Sequence, residues 1–445
     1  MNRQLPVAIV GGGPLALAAA AQLVRRKLPF VLFEKGSDVG ASVLSWKHVR
    51  MFSAWEFNID SAARELLLQS GWLEPNPTDL PKGYDLVELY LKPLSQLDSI
   101  KPNLYLNAEV TAVYRKDMDR MKTLGREKAP FILEYNQDGL TGKVEASAVI
   151  DATGTWLSPN PMTASGRISV GELKYSEHIR YGIPDILDTD SRKYAGKNVA
   201  VIGSGHSAIQ SLTLLHQLQQ REEQTQIHWV LRKQQVSEAF GGGENDGLLA
   251  RGELGLKANR FVQEGKVKVH TPFLVQEVRE DHGTRKLTLI GRQSGEQSEI
   301  PHLDEIIVAT GSRPDFSFLS ELRYTTDSAI ECVAQLANLI DPNIHSCGTV
   351  RPHGEAELRQ PEKNLYIVGA KSYGRAPTFL LATGYEQVRS VVAALAGDFV
   401  AARKVKLKLP QTGVCSVSKR NISVQAETGC CGSIVPDSEC GPKSC

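Results

Sequence analysis

One strand, glycine turn, helix and strand pattern is written twice in this chain, and nothing else in the sequence restricts the fold as much. In VAIVGGGPLALAAAAQLVRRKLPFVLFEKG (residues 7–36) a short apolar run ends in Gly11-x-Gly13-x-x-Ala16, an Ala-rich helix follows, and a second apolar run closes on Glu34 and Lys35. Gly11 makes the tight turn, Gly13 lets a backbone approach a pyrophosphate, and Ala16 lets the helix pack closely. The helix N-terminus then faces the negative charge. A carboxylate at the position of Glu34 accepts hydrogen bonds from an unphosphorylated ribose, which selects FAD or NAD over NADP. The device returns in VAVIGSGHSAIQSL (199–212) as Gly203-x-Gly205-x-x-Ala208, with His206 and Ser207 opening the helix. Its partner strand, QIHWVLRK (226–233), ends on Arg232 and Lys233 where the first copy has Glu34. A guanidinium there suits a ribose 2′-phosphate, so the second site reads as NADPH. The competing reading of Arg232 and Lys233 is a pair of solvated strand-end charges.

Composition agrees with a multidomain enzyme and removes several other classes. A chain of 445 residues that is 41% hydrophobic exceeds one ordinary core and can fill two or three. Its 51 basic and 50 acidic residues nearly cancel, so no field is offered to nucleic acid or anionic lipid. Residues 7–23 are apolar enough to imitate a signal core, but three glycines and Pro14 interrupt them, and no other window approaches a membrane span. Seven cysteines, the first at Cys332, do not make a disulfide framework and point to a reducing, cytoplasmic setting. No metal-ligand cluster, nucleophilic triad or paired carboxylates stand out.

AVIDATGTW (148–156) and EIIVATGSRPD (305–315) each run an apolar strand into Ala-Thr-Gly, a turn small enough to pass close to a dinucleotide. They mark the crossings between domains. The expected fold is α/β, with two dinucleotide-binding, Rossmann-like domains and the NADPH domain inserted in the FAD domain. The first part of the FAD domain is 1–160, the NADPH domain 161–304, the second FAD part 305–400, and a Cys-rich tail 401–445. FILEYNQDG and RKLTLIGRQSG read as antiparallel excursions, and DLVELYLKPLSQL as an amphipathic helix. Near the C-terminus, Gly369 opens a Gly-rich loop before a long helix whose start can face a flavin. One turn then holds a flavin, and the other holds the reductant that delivers hydride to it.

Dithiol reductases of this layout need a cysteine pair against the flavin, and no cysteine precedes Cys332. The order GGGPLA, ATGTWLSPNP, GSGHSA, ATGSRPD and terminal helix resembles the class B flavin monooxygenases over roughly residues 1–400. That resemblance implies FAD reduced by NADPH, O2 captured as a C4a-(hydro)peroxyflavin, and oxygen passed to a small soft nucleophile. The F-x-G-x-x-x-H-x-x-x-W pattern of some members is missing, since GELKYSEHIRYG keeps only His178. SCGTVRPHGEAEL and KSYGRAPTFLLATGYEQVRSVVAALAGD are similar to a branch found with bacterial arsenic resistance, which implies oxidation of trivalent arsenicals. N-hydroxylation or S-oxygenation of an organic amine or thioether, and a thiol-rich metalloid-binding oxidoreductase, remain open.

Several residues follow as candidates. Trp46, Trp55 and Phe57 would wall the flavin ring. By position relative to an asparagine of class B enzymes, Asn58 would stand near its reacting edge; a turn-capping Asn is the alternative. Arg375 would face the flavin and substrate or the NADP ribose, and His206 would line the pyrophosphate. The partners implied are a small-molecule substrate and O2, with a homodimer open. In the tail, Cys430, Cys431, Cys440 and Cys445 could bind a thiophilic metalloid, take up zinc, form disulfides or be incidental.

Overall fold

The structure is a computed structural model and describes residues 4–241, 243, 248–344, 353–377 and 379–407. Two five-stranded parallel sheets organise it, and they repeat one another strand for strand. In the first, β1 (Val7–Val10) pairs with β2 (Phe30–Phe33) on one side and β7 (Ala148–Asp151) on the other. The outer strands are β3 (Leu104–Tyr105) beside β2 and β16 (Leu365–Ile367) beside β7. In the second, β9 (Asn198–Ile202) lies between β10 (Gln226–Val230) and β15 (Glu305–Val308), flanked by β11 (Lys268–His270) and β8 (Ile179–Tyr181). Strands covered on both faces need unbroken apolar runs, which is what VAIV in β1 and VAVI in β9 supply. The first sheet takes its last strand from beyond residue 360, after the second sheet is complete; one nucleotide-binding unit thus interrupts the other.

Each sheet carries a three-stranded antiparallel excursion at the corresponding place. One comprises β4 (Ala108–Arg115), β5 (Phe131–Gln137) and β6 (Leu140–Ala146). The other comprises β12 (Phe273–Glu280), β13 (Leu287–Gln293) and β14 (Glu296–Leu303). Burial alternates along β4 and β12, the mark of a sheet with one covered face.

The helices of eight residues or more among the described residues are α1 (Pro14–Arg25), α2 (Ser61–Gln69), α3 (His206–Gln219), α4 (Leu249–Gln263) and α5 (Leu381–Leu395). Pro14 at the first turn of α1 loses nothing, because that N–H has no intrahelical partner. The expected helix over 85–97 forms, but with a π turn at Val87–Leu91. Pro93 is the physical reason: it has no N–H for the Leu89 carbonyl, which accepts from Trp72 Nε1 at 2.8 Å instead. The register shifts, and the Lys92 amide reaches back to the Val87 carbonyl.

Candidate active site

The two glycine turns are built alike. Gly11 has φ +105° and a Cβ there would lie 2.8 Å from the Ala152 carbonyl oxygen; Gly203 has φ +135° and a Cβ would lie 2.3 Å from that of Ala309. Each turn is therefore backed by the Ala-Thr-Gly segment of its own sheet, which is why a small residue is needed on both sides. Gly13 and Gly205, in contrast, have no atom within 4 Å of the place a Cβ would occupy, so their outer faces are open to a ligand. They are also the caps of α1 and α3, with no side chain satisfying the helix amides. Ala16 is fully buried against the first sheet.

Glu34 is fixed by its own turn. Its carboxylate accepts from the Gly12 amide at 2.5 Å and the Gly36 amide at 2.7 Å. A cavity of about 330 Å³ runs from Glu34 and the first turn past Trp46, Phe52 and Trp156 to Gly369 and Leu381. A second, of about 490 Å³, shares Glu34 and continues along Lys35, Asn107 and Asp138. Lys35 is exposed there and pairs with Glu109 at 3.7 Å. An open glycine face, a carboxylate and a long groove with an aromatic end fit a dinucleotide, which Gly13 and Glu34 would hold by its phosphates and ribose and whose ring would meet the aromatic end at Trp46.

The ring end is held from below. Gly369, at φ +73°, donates its amide to Gln387 Oε1 at 2.8 Å, and Gln387 is fully buried on α5. Lys371, two residues on, is buried with Asp151 Oδ2 at 2.6 Å and Thr153 Oγ1 at 2.9 Å, tying this loop to the first Ala-Thr-Gly turn. Leu380 and Leu381 line the cavity at the start of α5, whose first amides have no capping side chain. That end favours electron density on a bound ring.

The second site meets the first at this end. His206, the first residue of α3, packs on Phe52 with ring centroids 5.5 Å apart, and Trp156 lies 6.2 Å from Trp46. Ser207 follows in the first turn of α3, its carbonyl accepting from Ser211. Arg232 is exposed and Lys233 half-buried just past β10; the strand register puts Leu231 where Glu34 stands after β2 and Arg232 where Lys35 stands, so the two cations come one residue later than the sequence comparison expects. The donor set there, two cations and an open Gly205, fits a 2′-phosphorylated nucleotide. The crossings between the sheets are zipped together: Asn160 and Thr310 exchange hydrogen bonds, and Arg313 Nε donates to Asn160 Oδ1 at 3.1 Å.

A family model described as pyridine nucleotide-disulphide oxidoreductase matches residues 8–338. The chain belongs to that family. It is an oxidoreductase with the family's paired nucleotide folds, and the match takes in the second sheet and all of the first but β16. No curated protein matches it. Among solved structures, the bacillithiol disulfide reductase of Bacillus cereus superposes with a TM-score of 0.64 at 19% identity, covering 89% of this chain and 99% of that one. The FAD-bound cadaverine monooxygenase of Erwinia amylovora gives 0.63 at 13%, covering 92% and 98%. An ornithine N-hydroxylase of Kutzneria, with reduced FAD and NADP+, gives 0.59 at 14%, covering 89% and 99%. These likenesses are of fold.

The family is named for disulphide chemistry, so the positions of this chain's cysteines bear on its reaction. Leu15 stands directly after Gly-Gly-Gly-Pro and no cysteine precedes Cys332. Cys332 is buried, its thiol donating to the Val333 carbonyl, and burial pushes it up to about 12. It stays protonated and unreactive. Cys347 and the tail cysteines Cys430, Cys431, Cys440 and Cys445 lie outside the described residues. Among the described residues no group of three or more His, Cys, Asp or Glu is arranged to hold a metal, and no helix is long and apolar enough to cross a membrane.

The remaining candidates are placed as follows. Trp46 lines the cavity, but Trp55 turns into the core of the first domain and Phe57 does not reach the cavity. Met51, Phe52 and Trp156 supply the wall instead, and nothing local in the sequence distinguishes them from Trp55. Asn58 is fully buried with its amide on Ser53, and it is Ser53 that lines the cavity. Arg375 lies outside the cavity lining; its guanidinium is 3.8 Å from Glu331, which Arg313 also approaches, and its amide donates to Ile330.

Proposed function

We propose that the protein is an FAD- and NADPH-dependent monooxygenase that passes one oxygen atom of O2 to a small, uncharged soft nucleophile, trivalent arsenicals being the sharpest candidates. The observation that carries this reading is the ring end of the cavity. Trp46, Met51, Phe52, Trp156, Phe379 and Leu381 surround it, with no cysteine and no charged side chain among the described residues there. Such a wall offers a disulfide no exchange partner and a cationic amine no counter-ion, whereas neutral arsenite or a thioether enters without losing ionic hydration.

Gly13 and the α1 N-terminus would take the FAD pyrophosphate, Glu34 its ribose, and Gly205, Arg232 and Lys233 the NADPH phosphates. Bound FAD, reduced by NADPH, supplies the oxygen activation; the chain orients it and excludes water. The overall balance is NADPH, a proton, O2 and substrate giving NADP+, water and oxygenated substrate. The domain limits at 160, 304 and 400 are part of the proposal, as are a role for Asn58 or Arg375 near the reacting atoms and metalloid capture by the tail cysteines. A thioether is the second reading, since the same wall accepts it.

The test is NADPH consumption in air by the FAD-loaded protein with arsenite, methylarsenite, a thioether or ornithine, with peroxide and product counted. The expected result is stimulation by an uncharged substrate, with product equal to NADPH consumed. Stimulation by ornithine alone, or peroxide with every substrate, overturns the proposal. Removing residues 411–445 should leave thioether oxygenation intact and abolish only a function that depends on the tail thiols.

A further inference from the structure

A buried run of hydrogen bonds ends on Ser53, and the direction of every link is forced. Ser53 Oγ is 2.8 Å from Asn58 Oδ1, and Asn58 Nδ2 is 2.7 Å from the Ser53 carbonyl oxygen. A carbonyl can only accept, so the Asn58 amide must turn its NH2 toward it. That puts Oδ1, also only an acceptor, against the hydroxyl. The Ser53 proton is thereby committed to Asn58. Whatever cavity occupant meets Ser53 Oγ finds an acceptor and never a donor.

Asn58 is held in turn from the core. Its backbone carbonyl accepts from Tyr385 Oη on α5 at 2.7 Å, so the Tyr385 proton is spent there. Tyr90, fully buried in the same core, accepts at its Oη from the Asp60 amide at 3.1 Å. Burial raises both phenols, which keeps the two protons in place. Tyr90 sits on the π turn that Pro93 imposes, which sets where its hydroxyl comes. Along the cavity wall, Ser53 directly follows Phe52, the residue that touches His206. It therefore belongs to the ring end, away from Glu34.

We infer that Ser53 is the polar contact of the reacting end, an acceptor for an N–H or O–H donor brought by the reduced flavin or by the substrate, and that Asn58 is its positioning residue. This rests on reading the cavity as the flavin site. A reduced flavin carries a ring N–H that the oxidised ring lacks, so an acceptor beside it favours the reduced form. Arsenite and its methylated form carry As–OH donors, which a thioether does not.

The test uses the FAD-loaded full chain with Ser53→Ala, Ser53→Thr, Asn58→Ala and the Ser53→Ala/Asn58→Ala double variant. The readouts are the FAD midpoint potential and the KM and kcat for methylarsenite and a thioether. If the donor is on the flavin, Ser53→Ala lowers the potential by a preference of about tenfold, about 30 mV for a two-electron couple, and KM stays. If it is on the substrate, the potential stays and KM for methylarsenite alone rises about tenfold, about 1.4 kcal/mol. In both cases Ser53→Thr restores the wild-type value, and Asn58→Ala adds nothing to the Ser53→Ala background. Unchanged potential and KM in Ser53→Ala, or an Asn58→Ala effect that persists without the hydroxyl, overturns the inference. Failure of the wild-type chain to bind FAD would instead overturn the flavin reading beneath it.

Discussion

At the scale of the residue, four glycines divide into two kinds, and the division predicts two kinds of defect. Gly11 and Gly203 combine positive φ with a backbone carbonyl where a Cβ would go, so Gly203→Ala should cost more than about 2 kcal/mol of stability, read from the urea midpoint of the unliganded protein. Gly205→Ala meets no atom and should leave that midpoint within about 0.5 kcal/mol while raising the Kd for NADPH about tenfold or more. Arg232→Ala should weaken NADPH binding by a similar factor and leave NADH untouched, because only NADPH carries the 2′-phosphate; equal loss for both nucleotides would make Arg232 a plain surface charge. The two glycine turns were legible in the sequence because their backbone geometry follows from spacing along the chain. Trp156 and Ser53 were not. Which aromatic or hydroxyl turns inward depends on contacts between distant segments, such as Trp46 on Trp156 and Asn58 on Ser53.

At the scale of the element, both βαβ units and both antiparallel excursions could be read from apolar runs closed by glycine turns. The π turn could not, since periodicity gives a helix over 85–97 and only the tertiary contact of Trp72 with the freed Leu89 carbonyl shows how Pro93 is absorbed. Another pairing invisible in the sequence joins β10 to β11: His228 Nδ1 lies 2.9 Å from His270 Nε2 with the rings nearly parallel. Burial, then the neighbouring charges of His270 and Lys268, lowers His228 from 6.5 to about 4. The folded state thus disfavours the proton that the unfolded chain accepts. Stability is complete above pH 6.5 and falls as pH drops from 6.5 toward 4, by an amount of order 3 kcal/mol. His228→Gln should flatten that part of the urea midpoint against pH curve; an unchanged slope would assign the acid sensitivity elsewhere.

At the scale of the whole molecule, one fold is used twice with opposite charge at the strand end, Glu34 in one copy and Arg232 with Lys233 in the other, and the copies meet at Phe52 and His206. On the proposed reading that juxtaposition would let hydride pass from one nucleotide to the other, and the uncharged wall beside it would let the electrons leave to oxygen rather than to a thiol pair. Both glycine turns could be read from the sequence but not this wall, because its residues come from segments near 46, 52, 156 and 380 that only the fold assembles. The most direct measurement is turnover of NADPH and methylarsenite by the FAD-loaded protein under 18O2. The account predicts one labelled oxygen in the pentavalent product for each NADPH consumed. Product without label, or electrons delivered to a disulfide in place of O2, would contradict it.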